Sequence, residues 1–193
     1  VIRRLALASL GLVSWPGAAL AHDAFGDLGP FYQAFLHPLA DPAQGLLVAA
    51  AAVALAVQPI TSLRLAFVAL VVGAVAMLTT RSVLPVADPG LLAVATLTLL
   101  TAVIGVLSLR PAPAVTAGIA AILGAVAALP LDGARGGVPG VLTVAGGTAG
   151  IAFGTLFLWG AIDLAARRIS PLAPRVAGAW LAAIGVMVAA LPA

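Results

Sequence analysis

The chain has 193 residues, of which 63% are apolar and only 8% are charged. A soluble domain carries roughly a quarter of its residues as charges, so this composition cannot cover a water-facing surface and places the chain in a bilayer. The net charge of +3 comes from nine arginines against six aspartates, with neither lysine nor glutamate. No basic run exceeds two residues, which excludes a nucleic-acid surface. The absence of cysteine excludes disulfides, thiolate metal sites and thiol catalysis. Two histidines without Glu, Lys or Cys leave no visible nucleophile and base, so the chain is not expected to be an enzyme. The use of Arg over Lys, with abundant Ala, Leu, Val and Gly, points to a high-GC bacterial genome.

Residues 1–21, VIRRLALASLGLVSWPGAALA, have the three parts of a cleavable signal peptide. Arg3 and Arg4 supply the positive start, Leu5 to Val13 a short apolar stretch, and Ala19-Leu20-Ala21 a small-x-small cleavage site. Cleavage after Ala21 would leave residues 22–193 as one mature domain with His22 at a periplasmic N-terminus.

Pro, Gly and polar clusters divide the rest into six apolar spans. They run from about Gln44 to Val57, Leu63 to Thr80, Leu91 to Leu109, Ala114 to Leu129, Val141 to Ala165 and Val176 to Leu191. The expected fold is therefore an all-α membrane protein, a six-transmembrane-helix bundle in the bacterial inner membrane. The arginines orient it. With residue 22 outside, Arg3, Arg4, Arg64, Arg110, Arg167, Arg168 and Arg175 fall inside, and only Arg81 and Arg135 fall outside. That asymmetry satisfies the positive-inside rule. Asp23, Asp27, Asp41, Asp88 and Asp132 form an acidic outer face that would attract cations. Asp163 lies four residues before Arg167, the spacing of a helical ion pair. Gly146, Gly150 and Gly154, and Gly178, Ala182 and Gly185, make small-residue stripes suited to close packing of helices, more readily within the chain than between copies.

The first span raises the functional question. Its apolar run from Leu46 to Val57 gives only about 18 Å of helix, so the span must extend upstream into FLHPLADPAQ or be broken there. Pro38 and Pro42 cannot donate to the carbonyls of Ala34 and Pro38. A helix broken near the outer surface would thus present bare carbonyls beside His37, Asp41 and Gln44, the means by which many transporters hold cations. An N-terminal His22 would add an amine and an imidazole beside Asp23, a donor set suited to nickel, copper or zinc. The amine titrates near about 8, so binding there would weaken in acid.

These features resemble the HupE/UreJ family of bacterial membrane proteins, hydrogenase and urease accessory proteins regarded as nickel or cobalt permeases. The likeness covers nearly the whole chain: a signal ending in Ala-His, a His-Pro opening to the first span, six spans, and an Arg-rich link before a Gly-containing last span. The family's first motif is His-Pro-x-x-Gly-x-Asp-His. Here HPLADPAQ keeps His37 and Pro38 and has Asp41, Ala43 and Gln44 at the glycine, aspartate and second histidine positions. A second motif, His-Gly-x-Ala-His-Gly, corresponds to LDGARG, which keeps Ala134 and Gly136 and puts Leu131 and Arg135 at the histidine positions. Asp41 and Asp132 can partly replace the lost ligands, since carboxylates also bind such cations. The resemblance implies transport of nickel or cobalt, with His22, Asp23, His37, Asp41 and Asp132 as metal-contacting residues and no resident cofactor indicated. The alternative is a non-transporting membrane accessory or assembly subunit of a metalloenzyme system, with Gly146, Gly150 and Gly154 of the fifth span forming a partner surface.

Overall fold

A computed structural model of the protein describes residues 28–131 and 137–190. The expected signal peptide lies outside the described residues, as do His22, Asp23 and Asp132. All regular structure among the described residues is helical. In chain order the helices are α1 (Pro30–Ala40), α2 (Pro42–Ala56), α3 (Ile60–Val83), α4 (Leu91–Leu107), α5 (Pro113–Ala128), α6 (Gly137–Arg168) and α7 (Ala173–Ala189). The first expected span corresponds to α2, and α1 precedes it, bent by 74° from it at a single-residue break.

Two of these helices, α3 and α6, are long and apolar enough to cross a membrane, and α1 with α2 make a third if the bent pair is one span. The apolar helices α4, α5 and α7 have 17, 16 and 17 residues, about 24–26 Å of helix against a hydrocarbon core of about 30 Å. The long apolar helices associate the chain with a membrane.

α2 is the axis of the bundle. It touches every other helix, and nine of its fifteen residues are buried, including the unbroken run Ala50 to Leu55. Its sequence after Gln44 has no polar face, as expected of a helix enclosed on all sides. Leu47, Val48, Ala51 and Leu55 share the main core with Leu70, Leu78, Val94, Leu123 and Ile151 from the surrounding helices.

The surrounding helices pair at glycines. A methyl group added at Gly73 would strike the carbonyl of Ala121, and one at Gly124 the carbonyl of Leu70, so α3 and α5 meet backbone to backbone. Added methyls at Gly146 and Gly150 would strike the carbonyls of Phe31 and Phe35, which sets α1 alongside α6 in the same direction. Gly178 lies against Ala102 O and Val106 N, at 3.0 and 2.8 Å from an added methyl, and Gly185 against Leu99, so α4 and α7 run antiparallel. Both glycine stripes seen in the sequence are thus occupied within the chain. α1 lies along the stripe of α6 and α4 along that of α7.

One end of the bundle is tied by polar contacts. Arg110 Nε donates to Val57 O (3.2 Å), Gln58 Nε2 to Leu109 O (3.1 Å) and Arg175 Nε to Ser108 Oγ (2.9 Å). These join the C-terminal ends of α2 and α4 to the start of α7. Cations at helix C-termini also meet the negative end of the helix dipole. The expected Asp163–Arg167 ion pair forms at 2.9 Å. It is largely exposed and contributes little stability.

Close approach predicts a contrast between glycines. Gly124→Ala and Gly73→Ala should each lower stability by about 1–3 kcal/mol through overpacking. Gly118→Ala, where an added methyl meets nothing within 4 Å, should be neutral or stabilising by up to about 1 kcal/mol from helix propensity. Thermal unfolding in detergent measures both.

Candidate functional site: a broken helix at the bundle centre

The break follows from the prolines. Pro38 has no N–H for the carbonyl of Ala34, and Pro42 has none for that of Pro38. A residue before proline avoids helical dihedrals, and Asp41 accordingly lies at φ −80°, ψ 120°. Its backbone N–H donates to His37 O (2.8 Å), closing α1, while its own carbonyl accepts from Gly45 N (2.8 Å), opening α2. Pro42 takes the first position of α2, where its missing donor costs nothing. Asp41 then caps the helix: Oδ1 accepts from Gln44 N at 2.8 Å. Its carboxylate thus faces the positive end of the α2 dipole.

His37 and Gln44 close this turn from above and below. His37 Nδ1 and Gln44 Oε1 are 3.1 Å apart. An amide oxygen only accepts, so Nδ1 is the donor in this contact, and Nε2 is buried. Metal-binding histidines are commonly held in this way, one ring nitrogen fixed by an oxygen acceptor and the other facing the ion. Gln44 itself is fully buried. His37 and Gln44 are therefore in direct contact across the break.

The break lies partway along α6 rather than beside its start. Phe31, Phe35 and Leu39 follow Gly146, Gly150 and Gly154 down α6, and a methyl at Gly154 would meet Leu39 Cδ2 at 2.9 Å and Val48 Cγ1 at 3.0 Å. Gly154 is near the midpoint of the 32-residue α6. α1 descends half the length of the longest helix before it breaks. The apolar stretch for this descent comes from residues just upstream of the first predicted span, where Phe31, Phe35, Phe153 and Phe157 form a chain of ring contacts with centroids 5.7–6.2 Å apart.

Of the five expected metal-contacting residues, the structure brings His37 and Asp41 together at the break. His22, Asp23 and Asp132 lie outside the described residues. Among the described residues no three His or Asp side chains gather as a metal cluster. Two residues that sequence reasoning passed over, Thr98 and Thr155, have no exposed surface. A threonine in an apolar run gives no sequence signal that distinguishes a lining hydroxyl from one turned to its own backbone.

The chain matches no protein-family model, and neither a curated protein nor a solved structure shows significant similarity to it.

The cap generates a prediction. Asp41→Ala should destabilise the protein by about 1 kcal/mol, within a range of roughly 0.5–2, whereas Asp41→Asn should retain most of the capping energy. The comparison of melting temperatures in one detergent decides it.

Proposed function

We propose that the protein is a six-span permease of the bacterial inner membrane that moves a divalent transition cation, nickel or cobalt first, with its mature N-terminus in the periplasm. The observation that carries this reading is the helix broken beside His37 at the mid-depth of α6. Broken helices at mid-membrane are a recurrent device of transporters, because half-helix ends and unwound carbonyls stand in for water around an ion. In this reading the cation meets His37 Nε2, the carbonyl-rich end of α1 and the carboxylate of Asp41. An ionisable residue inside a membrane bundle is costly and is a functional candidate by default. The likeness to the HupE/UreJ family, which rests on sequence motifs alone, names the metal.

The arrangement of the arginines supports the orientation. Arg110 and Arg175 stand at one end of the bundle, fixed to Val57 and Ser108, with Arg167 and Arg168 at the end of α6 that leads into α7. α4, α5 and α7 would cross with the help of their flanking residues or a locally thinned bilayer.

The second reading, a non-transporting accessory subunit, is favoured by one observation: Asp41 already serves as a cap and Gln44 replaces a motif histidine, which leaves His37 the one imidazole at the break. Co-purification after mild detergent extraction distinguishes the two. A stable partner of this chain with no transport supports the accessory role.

Radiolabelled nickel or cobalt uptake in cells tests the permease reading. His37→Ala should reduce uptake at least tenfold at equal expression, and unchanged uptake overturns the site. Gln44→His restores an imidazole at hydrogen-bond distance from His37 and should lower the concentration for half-maximal uptake severalfold.

A further inference from the structure

We propose that the groove between α6 and α7 binds an anionic phospholipid, with one acyl chain lying in the groove and the phosphate held by Arg168 at its mouth. The inference rests on the chain's place in a membrane and not on the permease reading.

The groove exists because both helices use their close-packing faces elsewhere. α6 meets α1 through Gly146 and Gly150, and α7 meets α4 through Gly178 and Gly185. Gly160, in the last third of α6, has no atom within 4 Å of an added methyl. Joined by the short link 169–172, the two helices leave between them an open cleft of about 480 Å³. Leu158, Ile162 and Ala165 of α6 and Val176 and Ala177 of α7 form its walls. Ile162 and Ala177 also pack against the buried cluster of Val53, Ala102 and Leu181, which makes them the floor. A cleft of this size and character suits a hydrocarbon chain.

The mouth is charged. Arg168 is exposed. It follows Ala161 by seven residues and Ala165 by three, and both of those line the cleft, so Arg168 stands at its edge. Ser170 lines the mouth as well. Its Oγ accepts from Leu172 N at 3.3 Å and keeps its own hydrogen for a further acceptor. Arg168 has no ion-pair partner among the described residues. Asp163, the nearest acid in sequence, is taken by Arg167, and Arg175 Nε is taken by Ser108 Oγ. Arg110, Arg167, Arg168 and Arg175 thus share this end of the bundle with Asp163 alone among the described aspartates, since Asp41 lies at the break and Asp88 beyond the far end of α3.

A second groove supplies the contrast. A cleft of about 560 Å³ between α3 and the first half of α6, lined by Val75, Val141, Val144 and Ala149 among others, is also mostly apolar. The arginine at that end, Arg81, is bonded to Asp88. Only the α6–α7 groove joins an apolar cleft to an arginine without an acid. That pairing complements a molecule with an anionic head and a hydrocarbon tail. Basic sites between membrane helices recognise lipid phosphates in this way, and a guanidinium offers two parallel donors to phosphate oxygens.

Native mass spectrometry of the full chain in mild detergent, titrated with phosphatidylglycerol and with phosphatidylcholine of identical chains, tests the site. Phosphatidylglycerol should bind at least fivefold more tightly. Arg168→Gln removes no contact among the described residues and should reduce that preference below twofold. Ala165→Phe fills the cleft and should weaken phosphatidylglycerol binding at least fivefold at an unchanged melting temperature, whereas Ala149→Phe in the other groove should leave it as in the wild type. Equal affinity for the two lipids, or a wild-type preference in Arg168→Gln, overturns the proposal. Unchanged binding in Ala165→Phe places the lipid elsewhere and overturns it too. Glycerol phosphate, the headgroup without chains, should not compete at equal concentration, and full competition would overturn the assignment to a lipid.

Discussion

The fold depends on enclosing α2. A helix with no polar face and neighbours on every side can be surrounded only if the outer helices also pack tightly against one another. Small residues permit this: Gly73 with Gly124, Gly146 with Gly150, and Gly105 with Gly178 each let two backbones meet where a side chain would hold them apart. In lipid, apolar side chains gain little by leaving a solvent as apolar as themselves, so van der Waals contact at close range carries the association. The core is correspondingly rich in alanine, with Ala50, Ala52, Ala66, Ala74, Ala95, Ala102 and Ala128 all at 0% exposure.

The same enclosure gives the break its character. A proline-broken helix at a bundle edge would expose its carbonyls to headgroups and water. Here α1 is drawn down α6 by Gly146, Gly150 and Gly154, and at the turn Pro38 and Gln44 are buried while Leu39, Ala40 and Pro42 are exposed. The Asp41 carboxylate takes the Gln44 N–H, and the Gln44 amide oxygen takes His37 Nδ1. Asp41 compensates the α2 dipole while Gln44 holds the His37 ring by its Nδ1. A single turn thus ends one helix, caps the next and orients an imidazole.

The sequence foretold the helices well because apolar runs and breakers are local. The six apolar stretches predicted from sequence coincide with α2 to α7 within a few residues. The shortness of the run from Leu46 to Val57, together with Pro38 and Pro42, left the first span either extended upstream or broken there, and the structure shows the break. Depth was not legible. Residues 30–40 carry Pro, Tyr, Gln and His, and read as a polar approach to the membrane. Their aromatic face becomes decisive only against Phe153 and Phe157, more than a hundred residues away. The glycine stripe on α6 was plain in the sequence, but its partner was not, since any helix face can fill a groove of small residues.

The central claim is that the break lies deep in the bilayer, and its depth can be measured directly. A nitroxide attached through Leu39→Cys, at a half-exposed position on the break, would be compared in reconstituted bilayers with labels at Val83→Cys and Ile169→Cys near the two ends of the bundle. All three parent side chains are exposed, at 47%, 74% and 85%. Relative collision with oxygen and with a polar paramagnetic reagent reports depth. A label at Leu39 buried well below both others agrees with the account. A label there as shallow as that at Val83 contradicts it.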